Sequence, residues 1–537
     1  YRSDRIEYSR MNIALLGHVD AGKTTLARAL TQIASTAAFN HAEGRENTVD
    51  LGYSSLTVAD QRIVLIDCPG HAALIRAVIA ASSVINGAIV VVSGVKGVES
   101  QTAEHLLLAS LCCPSRMVVV MTKDDIANGE QMKAAEKSVK RAFKTLGVKE
   151  IPKMIRVNLA SEETKEEVVN RVKKLIEEII SRDEEGPSTS SSTLPSPLIA
   201  IDHCFSVKGK GSVMTGSVLN GEIKVGAEIE IGVTKERRKV KELQSWKEGR
   251  DKIDRGERVA LLVSSLQSQI SRCIIGPPGG LSPLSSVRAT VTMIPFFRFP
   301  IKDGAKMHVS CGYETEMATI RFGREEEDGS FELLPTLSSP CTAFISLARP
   351  IFSPLGSFYV ASRLELQSKG CRFAFHGVLS SVESRSSRFF SRQRREGEVE
   401  RVHDSRTLIV KNLLKKETKQ SIFTAMEVIH CYEHLLPRLN NTHFSVCVFS
   451  ECWSMAFGHS FVSQVRLSSG SIGKIEGPFG ASGKTRVILS ESLKEEEKKK
   501  MDEGGVKVYL HLKKWLNDRS MTGYLPDKLE EEDDKSI

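Results

Sequence analysis

The chain has 537 residues, of which 41% are hydrophobic and 26% charged, and its formal net charge is +8. This length predicts three or four domains, and the composition is ordinary for a globular protein. No run of residues is long and apolar enough to span a bilayer, so the sequence argues against a membrane-spanning protein. The mild positive excess is compatible with an RNA partner but does not establish one.

The eleven cysteines are scattered, without the ligand-pair spacing of a zinc site. This pattern predicts a reducing, cytoplasmic compartment. Residues 1–10 are charged and have no signal-peptide core. We expect Met11 to be the true start and residues 1–10 to come from upstream translation.

Short apolar runs alternate with helical patterns over the first 180 residues. Strand–helix alternation of this kind predicts a mostly parallel sheet with helices on both faces. The predicted strands are 12–16, 63–66, 87–92 and 117–121, and the predicted helices are 24–33, 103–111 and 165–180.

The pattern changes after a segment rich in Ser, Thr and Pro at 184–197, which predicts a linker. Short alternating strands with glycine-marked turns then predict two consecutive β-barrels. We therefore expect an α/β P-loop domain, two β-barrels and a small, mostly-β fourth domain. The expected bounds are 11–180 for the first domain, 181–197 for the linker, 198–285 and 286–380 for the barrels, and 381–525 for the fourth domain.

A phosphate-binding loop is predicted between the first strand and the first helix, the context that G-x-x-x-x-G-K-[ST] requires. Backbone amides wrap the phosphates, the lysine reaches the β- and γ-phosphates, and the following threonine hydroxyl binds Mg²⁺. The alternative is a glycine-rich turn that matches by chance. The predicted nucleotide ligands are Gly17, His18, Val19, Asp20, Ala21, Gly22, Lys23, Thr24 and Thr25.

Two further motifs follow buried strands in the order that a GTP-binding domain has. Asp67 ends an apolar run and is placed to hold Mg²⁺, Gly70 can donate its amide to the γ-phosphate, and His71 can orient the attacking water. In Thr122-Lys123-Asp124-Asp125 the last carboxylate can accept two hydrogen bonds from guanine, and the stem of Lys123 can pack along the base. The series of three motifs predicts binding and hydrolysis of GTP.

These motifs resemble those of translational GTPases of the elongation factor Tu class. Other segments narrow the resemblance to the eukaryotic selenocysteine-specific elongation factors. They are STAAFN (35–40), NTVDLGYS (47–54), DCPGHAALIR (67–76), DHCFSVKGKGSVMTG (202–216), GYETEM (312–317), CRFAFHGVL (371–379) and LLKKET (413–418).

The resemblance implies a factor that carries selenocysteinyl-tRNA to a ribosome paused at a recoded UGA codon and hydrolyses GTP on delivery. It implies that the fourth domain couples to the selenocysteine insertion element RNA through that element's binding protein. It assigns Thr24, Thr48 and Asp67 to Mg²⁺ and His71 to catalysis. We further expect a monomer that does not bind membranes.

By the same resemblance, Asp202, His203 and Arg258 line an aminoacyl pocket. A selenol is a stronger acid than a thiol, whose pKa is about 8.5, so selenocysteine is an anion at neutral pH while serine is neutral. A cationic arginine and a protonatable histidine favour the anion, with Asp202 orienting them. The simpler alternative places the Asp–His pair at a barrel edge for solubility.

Several segments depart from the family pattern. The first switch, the loop that presents Thr48 to Mg²⁺ in the family, is shortened. In the base-reading motif Thr122 stands where the family usually has Asn, and we expect guanine specificity to survive because Thr can still hydrogen-bond. The third base-contacting motif is unclear, with 157–161 as the best candidate. Residues 429–465 interrupt the family pattern, and we interpret them as a foreign insert that comes from a retained intron or a gene-model error. The basic segment 385–401 contains Phe389 and Phe390, which we expect either to stack on bases or to belong to a solvated linker.

Two other functions remain open from the sequence. One is a general elongation factor or an initiator-tRNA carrier, which would bind ordinary aminoacyl-tRNAs. The other is an RNA-binding adaptor that uses GTP only structurally, against which His71 and Thr48 argue.

Overall fold

The computed structural model describes residues 11–31, 33–34, 50–160, 162–182, 194–267, 270, 272–365, 370–383, 387–413, 459–460, 464–467, 471–479, 484–502 and 506–516. Thr48 and residues 1–10 lie outside these ranges, as does 429–465 apart from 459–460 and 464–465. The chain divides into two compact units. One comprises 1–300, 304–320 and 343–382, and the other comprises 301–303, 321–342 and 383–537.

The first unit begins with a seven-stranded sheet in the order β2-β3-β4-β1-β5-β6-β7. Strands β4, β1, β5, β6 and β7 run parallel, whereas β2, β3 and β4 are antiparallel neighbours. The bounds are β1 Asn12–Leu16, β2 Ile33–Ala34, β3 Gly52–Val58, β4 Gln61–Asp67, β5 Gly87–Ser93, β6 Met117–Thr122 and β7 Met154–Arg156.

Helices cover both faces of this sheet, as the sequence predicts. Apolar residues of α1 and α5 pack on one face, and those of α2, α3 and α4 pack on the other. The helices are α1 Lys23–Leu30, α2 Ile75–Ala81, α3 Ser100–Cys112, α4 Gly129–Thr145 and α5 Glu162–Ile180, with a 3-10 turn at Ala72–Leu74. All four predicted strands and all three predicted helices are confirmed; β1 has the predicted ends, and the ends of the others are shifted.

The second part of this unit is an antiparallel barrel-like sheet in the order β12-β11-β17-β8-β9-β16-β13-β14, beside the pair β10-β15. Its aliphatic residues form a core of their own. The bounds are β8 Leu198–Val207, β9 Gly211–Asn220, β10 Glu222–Lys224, β11 Glu228–Ile231, β12 Arg237–Lys239, β13 Glu242–Ser245, β14 Glu248–Arg250, β15 Lys252–Asp254, β16 Arg258–Val263 and β17 Cys273–Gly276.

A further sheet has neighbours in the order β20-β24-β25-β18-β23-β21, and β21 pairs again with β20, which closes a barrel. Strand β19 pairs with β25. The bounds are β18 Leu284–Thr290, β19 Thr292–Met293, β20 Ala305–Cys311, β21 Glu314–Glu325, β22 Phe331–Leu333, β23 Thr342–Ile351, β24 Phe358–Ser362 and β25 Phe373–Val382.

In the second unit, strands β26, β27, β31, β30, β29 and β32 follow one another, and β26 pairs with β32 to close a small barrel. Strand β22 joins β26 in parallel. The bounds are β26 Phe389–Val402, β27 Thr407–Lys411, β28 His459–Ser460, β29 Gln464–Leu467, β30 Ile472–Phe479, β31 Lys484–Leu489, α6 Glu495–Asp502 and β32 Lys507–Trp515.

The two phenylalanines of the basic segment are buried in this second unit. Phe389 is 6% exposed and Phe390 is 0% exposed, and the ring of Phe389 contacts Phe331. The expectation that these rings stack on bases is therefore wrong. They are adjacent on strand β26, so their side chains point to opposite faces, and both faces are covered at this point. Residues 389–402 form this strand, so the alternative of a solvated linker does not hold for them either.

Candidate functional site: a nucleotide site and a charged pocket

Backbone shape rather than side chains defines the loop between β1 and α1. Gly17 has φ +145°, and a Cβ there would lie 2.2 Å from the carbonyl oxygen of Val91. Gly22 has φ +90° and caps α1, and Asp20 also has a positive φ. Since residues with side chains rarely adopt these angles, the two glycines allow the chain to curl around a phosphate group.

The predicted phosphate and metal ligands meet at the end of this loop. The Nζ of Lys23 donates to the carbonyl of His18 at 2.7 Å, and the Oγ1 of Thr24 donates to Oδ2 of Asp67 at 2.7 Å. Burial lowers the pKa of Lys23, although the nearby Asp67 opposes this shift. The hydroxyl and carboxylate are hard oxygen donors of the kind that Mg²⁺ prefers, so the residues present fit the ion.

Gly70 lies directly against the phosphate loop. A Cβ at this position would be 2.5 Å from Nζ of Lys23 and 2.6 Å from the backbone nitrogen of Val19. Only a glycine permits this approach, because the nearest atoms include fixed backbone. The segment after β4 is thereby brought to the place where a terminal phosphate would lie.

His71 is exposed at the start of the 3-10 turn. Its Nδ1 accepts a hydrogen bond from the backbone N–H of Ala73 at 3.2 Å. This bond leaves Nε2 as the nitrogen that can face a water molecule.

The predicted guanine-reading motif follows β6, beside the phosphate loop. The hydroxyl of Thr122 donates to the carbonyl of Ala21 at 2.7 Å, so this threonine holds the loop in place. Lys123 has φ 60°, and Asp125 is exposed. Val157, in the candidate third motif, donates its N–H to the carbonyl of Met121 at 2.8 Å, which sets the two loops side by side.

The remaining loop residues have structural partners or face solvent. His18 pairs with Glu99, with Nδ1 and Oε1 3.2 Å apart. Ala21 is buried at 3% exposure, whereas Thr25 is exposed on α1.

His105 is part of this site, and sequence reasoning missed it. Its Nδ1 accepts the N–H of Gly17 at 2.9 Å, and the side chain is 1% exposed. Burial lowers its pKa to about 3, so the ring stays neutral and can accept. The sequence shows it only as a polar residue in an apolar helix, which gives no sign of a partner 88 positions away.

The three predicted pocket residues are in direct contact on the first barrel. Arg258 donates to both carboxylate oxygens of Asp202, at 2.5 and 2.9 Å. Nδ1 of His203 lies 2.8 Å from Oδ1 of Asp202, which also accepts from Thr215. Asp202 and Arg258 are 4% and 7% exposed. The structure thus places a buried, hydrogen-bonded ion pair beside a histidine that is only half-buried.

The ionisation of this cluster follows from its contacts. Burial opposes the charge of Asp202, but Arg258 and His203 outweigh it and lower the pKa. The hydrogen bond with Asp202, followed by one with Asp50, raises the pKa of His203 to about 9. Both are therefore charged at neutral pH.

The first domain contributes two residues to the cluster that the sequence did not reveal. The guanidinium of Arg258 lies 3.5 Å from the ring centre of Tyr53 in β3, whose hydroxyl is 3.3 Å from that of Tyr313. Asp50 pairs with His203 and with Arg272. These contacts join residues more than 140 positions apart, which no local pattern encodes.

Comparison with known proteins then identifies the family. Residues 8–222 match the elongation factor Tu GTP binding domain, and residues 386–431 match the eEFSec C-terminal RIFT domain. A selenocysteine-specific elongation factor from Mus musculus is 30% identical over 91% of this chain and 90% of its own length. The chain belongs to the selenocysteine-specific elongation factors.

Other members agree with this assignment. The selenocysteine-specific elongation factor of Methanocaldococcus jannaschii is 35% identical over 59% of the chain and 66% of its own length. The fold also resembles translation elongation factor SelB from Methanococcus maripaludis in complex with the GTP analogue GppNHp. That match has a TM-score of 0.72 and 24% identity, and covers 95% of this chain and 99% of that one.

Membership makes this selenocysteine-specific elongation factor a translational GTPase with an elongation factor Tu type GTP-binding domain. The predicted fold class is confirmed, with a P-loop domain followed by β-barrels. None of the helices in the described ranges combines the length and apolar character that a membrane crossing requires.

Proposed function

We propose that this chain binds GTP and selenocysteinyl-tRNA, delivers the tRNA to the ribosome at recoded UGA codons and hydrolyses GTP. The observation that carries the cargo assignment is the contact of Asp202, His203 and Arg258 on the first barrel. The proposal that GTP is the nucleotide is supported by the similar fold of SelB from Methanococcus maripaludis, whose structure contains a GTP analogue.

At the nucleotide site, each proposed role follows from a position in the fold. Residues 17–25 wrap the phosphates, and Lys23 neutralises their charge. Thr24 and Asp67 would hold Mg²⁺, with Thr48 as a third ligand from outside the described residues. Mg²⁺, when bound, neutralises charge on the phosphate oxygens. Gly70 donates its amide to the terminal phosphate, and Nε2 of His71 orients the attacking water.

The base is selected by the loop after β6. Asp125 is free of the sheet and exposed, so its carboxylate can accept from the two guanine donors that adenine lacks. Lys123 packs its stem along the base. Thr122, which we also assign to the nucleotide site, supports the phosphate loop through the hydrogen bond from its hydroxyl to Ala21.

The cargo pocket discriminates by charge. The cationic cluster matches the selenolate of selenocysteine, whereas the neutral hydroxyl of serine leaves positive charge without its anion. Because Arg258 is already paired with Asp202, the half-buried His203 presents its outward nitrogen to the cargo. Asp202 orients His203 and keeps it protonated, and Arg258 holds Asp202 in place.

The wider setting is also part of the proposal. We infer a monomeric, cytoplasmic factor whose residues 381–525 couple to the selenocysteine insertion element RNA through its binding protein. Free thiols among the described residues support a reducing compartment. They are Cys68, Cys112, Cys113, Cys204, Cys273, Cys311, Cys341 and Cys371.

A filter-binding comparison tests the cargo. Selenocysteinyl-, seryl- and alanyl-tRNA are measured with the GppNHp-loaded protein, and the selenocysteinyl form should bind at least tenfold more tightly. The variant His203→Gln should lose most of this preference, because it removes the outward cation. Equal binding of all three tRNAs to the wild type would instead favour a general elongation factor or an initiator-tRNA carrier.

Turnover of GTP on ribosomes tests the chemistry. His71→Ala should lower the ribosome-stimulated rate by about 100-fold or more, the usual range for a lost proton-handling or water-positioning group. GTP affinity should stay unchanged, since the imidazole of His71 is exposed and hydrogen-bonds within its own turn, to Ala73. The control His403→Ala, in the other compact unit, should leave the rate as it is. Equal rates for His71→Ala and wild type would favour the adaptor that uses GTP only structurally.

A further inference from the structure

The positive charges of the cargo pocket differ in how far they are already neutralised. Arg258 makes a two-point ion pair with Asp202, and the ring of Tyr53 covers its face at 3.5 Å. Its side chain is 8% exposed. His203 and Arg272 are more open, with side chains 31% and 23% exposed. The charge that an incoming anion can reach therefore belongs to His203 and Arg272.

Asp50, which lies two residues before β3, pairs with both of these cations. Its Oδ2 is 3.7 Å from Nε2 of His203, and its Oδ1 forms an ion pair with Arg272. The other ring nitrogen of His203 is directed to Asp202. The outward nitrogen, which we assign to the cargo, thus faces a carboxylate supplied by the GTPase domain.

The position of the Asp50 carboxylate allows another anion to displace it from His203 and Arg272. The side chain of Asp50 is 51% exposed, and both cations that it pairs with, His203 and Arg272, belong to the barrel. Within its own domain it accepts a hydrogen bond from the backbone N–H of Leu51 at 2.7 Å. Ion pairs of such exposed groups are weak, because water solvates the separated charges well. The contact is therefore weak enough for a competing anion to replace it.

We propose that Asp50 is an internal counter-anion of the cargo pocket, which occupies the position of the cargo selenolate on His203 and Arg272 and competes with it. This inference rests on the proposed cargo. When the pocket is empty, Asp50 neutralises the two cations. When selenocysteinyl-tRNA binds, the selenolate replaces the carboxylate, and the reverse exchange assists release after delivery.

The exchange affects anionic and neutral cargo differently. A selenolate competes with Asp50 for the same two cations, so removing the carboxylate charge should strengthen its binding. A serine hydroxyl carries no charge and gains little when the cations become available. Asp50 is thus a residue that sets how tightly the correct cargo is held, relative to its neutral precursor.

The test is the isosteric variant Asp50→Asn, measured with selenocysteinyl- and seryl-tRNA that share the same tRNA body. Its matched control is Glu248→Gln. Glu248 also joins the barrel to the GTPase domain, through Arg62 at 3.1 Å, but is not part of the cluster. Both substitutions are at exposed positions and keep side-chain size, and thermal midpoints of both variants check the fold.

We expect Asp50→Asn to raise affinity for selenocysteinyl-tRNA about three- to tenfold, which corresponds to roughly 1 kcal/mol. Affinity for seryl-tRNA should change less than twofold, Glu248→Gln should change neither, and dissociation of selenocysteinyl-tRNA should slow in Asp50→Asn. An unchanged or lower affinity for selenocysteinyl-tRNA would overturn the inference. An equal gain for both tRNAs would also overturn it, because Asp50 would then act only as a contact between the GTPase domain and the barrel. Equal binding of both tRNAs by the wild type would instead overturn the proposed cargo itself.

Discussion

His203 lies between two carboxylates that come from different parts of the chain. Nδ1 is 2.8 Å from Asp202 and Nε2 is 3.7 Å from Asp50. Each carboxylate favours the protonated ring, and together they raise the pKa of His203 to about 9 against the opposing effect of burial. A histidine that is charged throughout the physiological range acts as a fixed cation, not as a pH switch.

This ionisation predicts how stability depends on pH. Because the folded-state pKa is raised above the ordinary value of about 6.5, the stabilisation is fully present below that pH and is lost as pH rises through about 9. Thermal midpoints of the wild type and His203→Gln should therefore differ most near pH 6 and converge by pH 10. A difference that stays constant over this range would contradict the assigned protonation of His203.

Single residues also show where sequence reasoning stops. Family resemblance located Asp202, His203 and Arg258, and they are in contact in the structure. Tyr53 and His105 were missed, because their partners lie far away in sequence. A buried tyrosine in a strand and a histidine in an apolar helix have the same local pattern whether or not they serve a site.

Among the secondary structure elements, the strands were the most predictable. Strands β1, β4, β5 and β6 are apolar runs buried on both faces, which is the sequence pattern of a parallel sheet. Helix α4 was not predicted, although Asn128 and Gln131 form a capping box at its start. That signal could have located it, since a capping box is a local motif.

Helix α3 links the barrel to the phosphate loop through two adjacent residues. Glu104 pairs with Arg372, whose Nη1 also donates to the carbonyl of Ala72 at 2.9 Å, and His105 accepts from Gly17. Arg372 and Glu104 have side chains only 10% and 13% exposed. One arginine therefore fixes both this helix and the turn that follows His71.

Removing Arg372 should leave Glu104 as an uncompensated, nearly buried charge. Arg372→Ala should lower the free energy of unfolding by about 3 kcal/mol, the usual loss when one partner of a buried pair is removed. In the double variant with Glu104→Gln the loss should be clearly smaller than the sum of the two single losses. Denaturation of all four proteins gives this coupling, and strictly additive losses would show that the pair is not energetically linked.

The same interface should affect turnover. We expect Arg372→Ala to lower the ribosome-stimulated rate of GTP hydrolysis more than GTP affinity, because the turn after His71 loses its anchor. Arg372→Lys keeps the charge but loses the two-point geometry, so it should recover stability better than rate.

For the molecule as a whole, composition and local pattern predicted a P-loop domain followed by β-barrels. They could not predict which segments share a compact unit. Residues 321–342 belong with 383–537 rather than with the strands that flank them in sequence. The contacts between 321–342 and 383–537 arise from tertiary packing. Neither hydrophobic periodicity nor the composition of linkers predicts such contacts.

The net charge of +8 gives a prediction about tRNA binding. Basic residues that neutralise tRNA phosphates release counterions, so raising KCl from 50 to 200 mM should weaken binding by about tenfold or more. The preference for selenocysteinyl- over seryl-tRNA should change much less, because the two tRNAs share the same phosphates and the cations that we assign to the selenolate, His203 and Arg272, are partly buried and less screened than surface charges. Titrations at four salt concentrations measure both quantities. A preference that falls in parallel with affinity would place the discrimination on the tRNA body instead of the pocket.

The parallel pairing of β22 with β26 limits how this protein can be shortened or could have been assembled from modules. Phe331 is 1% exposed, and strand β22 pairs with β26 through Phe389 and Phe390. A chain ending at residue 382 would keep β22 paired with β21 but lose β26 on its other edge, and would expose that edge and the ring of Phe331 to solvent. The last barrel is therefore not an appendage that can be removed at a boundary. A version without the last barrel would need a different residue in place of Phe331, which packs against Phe389.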